Sequence, residues 1–245
     1  MTGADPQRRS WSEPVMGTHM SLHLRGPLAG ADPVVDAVFA DLRRADELFS
    51  TYRPDSQVSA IRRRELSPAR AHPWVAEVAA LCDEARERTE GYFDAWLPGG
   101  FDPSGIVKGW AAECAAARLA RLPGVDYYLN AGGDITGRVA TADGPPWRVG
   151  IQDPGRPDAF LTVLELRDGG IATSGSAERG PHILDPHTGN AAGELISLTV
   201  TGPTLLWADV FATAAFARGG PDVERWVAAR APGYRVAAIA RAART

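Results

Sequence analysis

Residues 101–134 read FDPSGIVKGWAAECAAARLARLPGVDYYLNAGGD: a tight turn, a helix, a short strand and a second glycine turn that carries an acid. The first turn, Asp102 to Gly105, leads straight into the helix, and Lys108 stands at the helix start. Backbone amides, the partial positive end of a helix dipole and a cation are thus gathered in one place, an arrangement that favours phosphate. After the strand DYYL, the paired glycines of Asn130 to Asp134 allow backbone to come close to a ligand. Two such loops at the ends of one compact unit point to one site.

Working downstream, Pro146 to Gln152, Ala159 to Leu166 and Gly170 to Gly175 have strand character, and RDGG between the last two suits a tight hairpin. His182 to Leu184 is expected as a short strand, and Glu194 to Gly202 as a longer one rich in β-branched residues. TLLWADVFATAAFARGG is a strongly apolar helix closed by Gly219 and Gly220. A last helix, DVERWVAAR, and a strand, YRVAAIA, follow.

Upstream, MGTHMSLHL alternates, with Met20, Leu22 and Leu24 on one face and His19, Ser21 and His23 on the other, the pattern of a half-buried strand. Asp32 and Pro33 make a helix start, and Val35, Val38, Leu42, Ala45 and Phe49 recur at three-and-four spacing behind them. Pro73 opens another helix, with Val75, Val78, Cys82 and Ala85 inward and Gly91 as its stop. The expectation is an α+β fold, a mainly antiparallel sheet with packed helices in a single domain over residues 15–245, after a flexible tail over 1–14.

A chain of 245 residues with 44% hydrophobic content can bury a full core. Its net charge of −4 offers no general attraction to nucleic acid or to an anionic membrane, so a phosphate ligand must be held locally. Cys82 and Cys114 have no CxxC spacing and no neighbouring histidine, which makes them buried free thiols in expectation. With no signal-like or membrane-length apolar run, the expected location is cytoplasmic.

Two places carry chemistry. Asp209 and Thr213 are four residues apart on the late helix, so both lie on one face, and carboxylate plus hydroxyl is a hard-oxygen pair suited to magnesium. The plain alternative is a solvent-facing acid beside a filler threonine, but the surrounding LLWADVFATAAF gives an acid little polar company. His182 sits among Glu178, Arg179 and Asp185 with turns on both sides, which suits either a structural hydrogen bond or a general base. His187 is expected to be exposed in its turn.

MGT at 16–18, TYRPDSQVS at 51–59, FDPSGIVKGWAAE at 101–113, LNAGGDI at 129–135, WRVGIQDP at 147–154, ATSGSAERGPHILDPHTG at 172–189 and TVTGPTLLWADVFATA at 199–214 together resemble the ApbE-type FAD:protein FMN transferases, or flavin transferases. The resemblance implies a magnesium-dependent enzyme that moves the FMN half of FAD to a Ser or Thr hydroxyl of an acceptor protein and releases AMP. It implies Asp209, Thr213 and the main-chain oxygen of Gly105 as magnesium ligands. Met16, Tyr52, Tyr92, Phe93, Asp94, Asp102 and Lys108 match FAD-contacting positions, and His182 the base. The partners implied are FAD and the acceptor, with neither nucleic acid nor membrane. Hydrolysis of FAD to FMN and AMP, or FAD binding and storage without catalysis, are the alternatives. The chain departs from the family pattern in four ways: Trp96 and Asp102 are separated by only a short linker, Gly105 stands where an Ala is often the carbonyl ligand, Arg62 replaces an Asn, and Ala177 replaces an aromatic.

Overall fold

In the strand Thr18–Arg25 (β2), Met20, Leu22 and Leu24 are buried while the residues between them are not, as period-two alternation requires. A computed structural model describes residues 7–97, 99–176, 180 and 183–242. Arg8–Val15 (β1) pairs with β2 through a two-residue turn at Met16 and Gly17, both at positive φ (54° and 70°), the backbone that a tight hairpin matching strand twist demands. Residues 8–14, expected in a flexible tail, are therefore an edge strand, and Met16 and Gly17 form its turn instead of starting β2.

The remaining strands are Asp126–Ala131 (β3), Asp134–Arg138 (β4), Trp147–Asp153 (β5), Arg156–Leu166 (β6), Asp168–Gly175 (β7), Leu195–Gly202 (β8) and Arg235–Arg241 (β9). Of the nine strands among the described residues, seven form one antiparallel sheet in the order β1-β2-β3-β4-β7-β8-β9, and β5 and β6 form a separate hairpin. The helices are Asp32–Phe49 (α1), Gln57–Arg62 (α2), Pro73–Arg88 (α3), Ser104–Ala116 (α4), Leu205–Arg218 (α5) and Val223–Arg230 (α6). Ala31 caps α1, so Asp32 and Pro33 fall just inside it.

One large core joins the helices to the sheet, and α4 and α5 are buried on almost every side, as helices apolar all round must be. A smaller core of Ile135, Val149, Ile151, Leu166 and Ile171 joins the β5–β6 hairpin to the sheet. The expected α+β architecture is thus present. Among the described residues no helix is long and apolar enough to cross a membrane. Cys82 is buried, but Cys114 is exposed, contrary to expectation.

The RDGG segment does not turn a hairpin. β6 pairs with β5, whereas β7 pairs with β4 and β8, so the chain crosses here from one sheet to the other. Its glycines answer to close packing: a Cβ on Gly169 would lie 2.3 Å from the Gly202 oxygen, and one on Gly170 2.3 Å from Leu205 Cα. Of the short strand expected at His182 to Leu184, Leu184 makes an isolated bridge to Ala191, and His182 lies outside the described residues. Because Gly170 sets how closely α5 begins against β7, Gly170→Ala must push helix and strand apart. It is expected to lower stability by roughly 1–3 kcal/mol, seen as a lower urea midpoint at an unchanged m-value.

Candidate active site

Helix α5 is positioned at its start from two sides. Thr204 Oγ1 accepts the Trp207 N–H at 3.4 Å, and the Glu113 carboxylate of α4 accepts the Leu206 N–H at 3.0 Å. Burial pushes the Glu113 carboxyl above its ordinary range, and the amides of Leu206 and Leu205 oppose that shift. Four residues along α5, Asp209 faces α4 and is 6% exposed. Its Oδ2 accepts the Gly109 N–H at 3.1 Å.

The two helices meet through glycine. A Cβ on Gly109 would stand 3.0 Å from Asp209 Cβ, and one on Gly105 would stand 3.4 Å from Thr213 Cγ2 and 3.0 Å from Phe93 Cε2. Gly105 and Gly109 are thus one turn apart on α4 and oppose Thr213 and Asp209, one turn apart on α5. From the sheet, Ser174 at the end of β7 brings its hydroxyl 3.2 Å from that of Thr213.

A second pair stands beside this group. Asp134, at the start of β4, is buried; its Oδ1 accepts the Thr173 N–H at 2.9 Å, and its Oδ2 meets the Lys108 ammonium as an ion pair without an aligned hydrogen bond. Lys108 retains 21% of its side-chain exposure. The cation expected to serve phosphate therefore has a carboxylate partner as well, and the acid noted on the NAGGD turn is that partner. The turn itself is braced by Asn130 Oδ1, which accepts the Gly133 N–H at 2.7 Å.

The structure gathers some expected site residues and leaves others apart. Gly105 meets Phe93 and Thr213, Asp209 meets α4 one turn further on at Gly109, and Lys108 stands beside Gly109 on α4. Asp102 Oδ1 accepts the Ser104 N–H at 3.0 Å, which holds the turn leading into α4. Asp94 pairs with Arg86 at 3.1 Å and accepts the Trp96 N–H at 2.8 Å. Tyr92 packs edge-on to His187 with ring centres 4.5 Å apart, and the Glu90 carbonyl accepts from His187 Nε2 at 3.0 Å, so that exposed histidine ties its turn to the end of α3. Met16 lies in the β1–β2 turn, next to Thr18, whose Oγ1 would be 2.5 Å from a Cβ on Gly132. Tyr52 is 96% exposed on the α1–α2 loop, and its ring packs on almost nothing. Gly109, Ser174 and the Lys108–Asp134 pairing were not foreseen from the sequence. Only the small-residue spacing Gly105 to Gly109, matching Asp209 to Thr213, could have signalled the first.

As a metal site this group has one carboxylate and several neutral oxygens. Among the described residues no cluster of three His, Cys, Asp or Glu side chains could hold an ion. Oxygen-only donors around a single carboxylate fit magnesium, which keeps several waters and shares substrate phosphates. The bare α-carbon of Gly105 against Thr213 leaves room that a side chain would fill. For the second pair, Lys108→Met strands the buried Asp134 carboxylate and is expected to cost about 3 kcal/mol. Adding Asp134→Asn should recover much of that loss, and a double-mutant cycle by urea denaturation reads the coupling.

The ApbE family model matches residues 16–99 and 98–238. The FAD:protein FMN transferase of Klebsiella pneumoniae is 35% identical over 137 residues, 51% of this chain and 39% of that protein. Its namesake in Salmonella typhimurium is 39% identical over 119 residues, 44% of this chain and 34% of that one. The matched region thus spans well under half the length of these curated relatives. The ApbE protein of Thermotoga maritima superposes with a TM-score of 0.84 at 22% identity, covering 96% of this chain and 97% of that one. The flavin transferase ApbE of Vibrio cholerae gives 0.81 at 21% identity, with coverages of 96% and 97%. Those likenesses carry the fold, and the family match, running through both the α4 segment and α5, carries the lineage: this chain belongs to the ApbE family.

Proposed function

We propose that this chain transfers the FMN half of FAD to a Ser or Thr hydroxyl of an acceptor protein and releases AMP, with magnesium as the metal. The observation that carries this reading is the meeting of Gly105 and Gly109 with Thr213 and Asp209, beside the Lys108–Asp134 pair. In that group two carboxylates stand against one ammonium, so a diphosphate brought there alone would meet net negative charge. Magnesium, when bound to Asp209, Thr213 and the Gly105 carbonyl, supplies the positive charge that the diphosphate oxygens need.

The protein's own contribution is placement. The acceptor oxygen forms a bond to the FMN-side phosphorus while the bond from that phosphorus to the bridging oxygen breaks, and AMP departs with that oxygen. His182 is proposed to take the hydroxyl proton, on the strength of its motif alone. Lys108, oriented by Asp134, and the start of α4 are proposed to bind the diphosphate. Met16, Tyr52, Asp94 and Asp102, with Tyr92 and Phe93, are proposed to surround the rest of FAD.

Incubating the protein with FAD, magnesium and candidate Ser/Thr acceptors, followed by mass spectrometry, tests the reading. An acceptor heavier by one FMN is expected; free FMN and AMP without an adduct would instead mean hydrolysis, and intact FAD would mean storage. Asp209→Ala should fold yet lose magnesium-dependent turnover, and an unchanged magnesium dependence would refute the metal assignment. His182→Ala is expected to slow transfer on the order of 10²–10⁴-fold at saturating FAD. Near-normal transfer would remove it as the base.

A further inference from the structure

The short segment between Asp94 and Asp102 carries an aromatic side chain for which the proposed chemistry has given no role. Trp96 is 46% exposed, although its ring lies 4.6 Å from that of Phe101 at 32°, and Phe101 is fully buried. One side of the indole is thus backed by the core and much of the remainder faces solvent. The backbone around it is fixed. Trp96 donates its N–H to Asp94 Oδ1 at 2.8 Å, Asp102 donates to the Ala95 carbonyl at 2.8 Å, and Gly100 donates to the Leu97 carbonyl at 3.0 Å. Arg62 Nε reaches the Gly99 carbonyl at 3.3 Å and braces the segment from α2.

This segment adjoins the candidate active site at both ends. It begins just after Phe93, whose ring edge meets Gly105, and it ends at Asp102, which holds the turn into α4. A rigid indole loses little freedom on binding, and a planar ring can stack on it whatever the ring's hydrogen-bonding edge. We propose that Trp96 is a stacking platform for a planar heteroaromatic ring of FAD, the isoalloxazine or the adenine. The inference rests on the proposed use of FAD and adds a binding residue that the family motifs do not supply. It also gives Arg62 a function: bracing the platform.

Calorimetric titration of the full chain with FAD, FMN and AMP, in magnesium and without acceptor, tests it. Trp96→Ala is expected to raise the FAD Kd roughly tenfold, while Trp96→Phe, which keeps an aromatic face, should stay within about twofold of the wild type. The loss should reappear with FMN if the platform takes the flavin ring and with AMP if it takes adenine. Trp96→Leu keeps an apolar contact with Phe101 but lacks a π face, so it carries the same expectation should the alanine variant unfold. An FAD Kd unchanged in folded Trp96→Ala or Trp96→Leu, with wild-type binding intact, overturns this inference and leaves the functional reading standing. No FAD binding by the wild type would overturn both.

Discussion

The approach of α4 to α5 is the constraint on which the candidate site depends. Two helices separated by ordinary side chains keep their backbones too far apart for an aspartate on one to accept a main-chain amide of the other. Here Gly109 lets Asp209 Oδ2 reach the Gly109 N–H itself, at 3.1 Å. That amide lies within the helix, so the bond supplements α4's own ladder and partly offsets the cost of burying a carboxylate. One turn away, Gly105 lets Thr213 lie close against α4. The spacing that puts two oxygens on one face of α5 is therefore useful only because α4 repeats it with glycine.

The sheet then sets the height of the site. β2, β3, β4, β7 and β8 alternate in direction, so the end of β3, the start of β4 and the end of β7 lie at one edge of the sheet. Asp134 and Thr173 meet there, as do Ser174 and Thr213. Lys108 must reach across from α4 to Asp134, and a buried carboxylate with a single ammonium partner tolerates little displacement. The helix pair is thereby tied to the sheet by charge as well as by apolar packing. Gly170, against which α5 begins, ties it a second time at the other end of β7.

Sequence patterns revealed what depends on nearest neighbours along the chain. The inward faces of α1 and α3 follow from three-and-four spacing, and the buried face of β2 from alternation, because burial imposes those periods locally. β1 escaped notice because only Trp11 and Val15 give its RRSWSEPV stretch apolar character, while the edge position leaves most of its remaining residues exposed. RDGG misled for a different reason. Glycine pairs serve tight turns and close approaches alike, and only the position of Leu205 and Gly202 decides between them. In the site, the Asp209–Thr213 pair was legible as a spacing. Ser174, Gly109 and the partner of Lys108 were not, because each acquires its neighbour from an element distant in the chain.

The same distinction explains the short segment between Trp96 and Asp102. The resemblance marks this linker as short. In the fold, the ends that remain are closed by Asp102 donating to the Ala95 carbonyl, and the space beside them is filled by Phe101 and by the stem of Arg62, whose Cγ would lie 3.4 Å from a Cβ on Gly100. Closing a loop of so few residues costs less entropy than closing a long one. A shortened segment can therefore replace coverage with order. Burying Phe101 beneath the Trp96 ring anchors that order in the core, where a longer and more mobile covering would have had to gain it on binding.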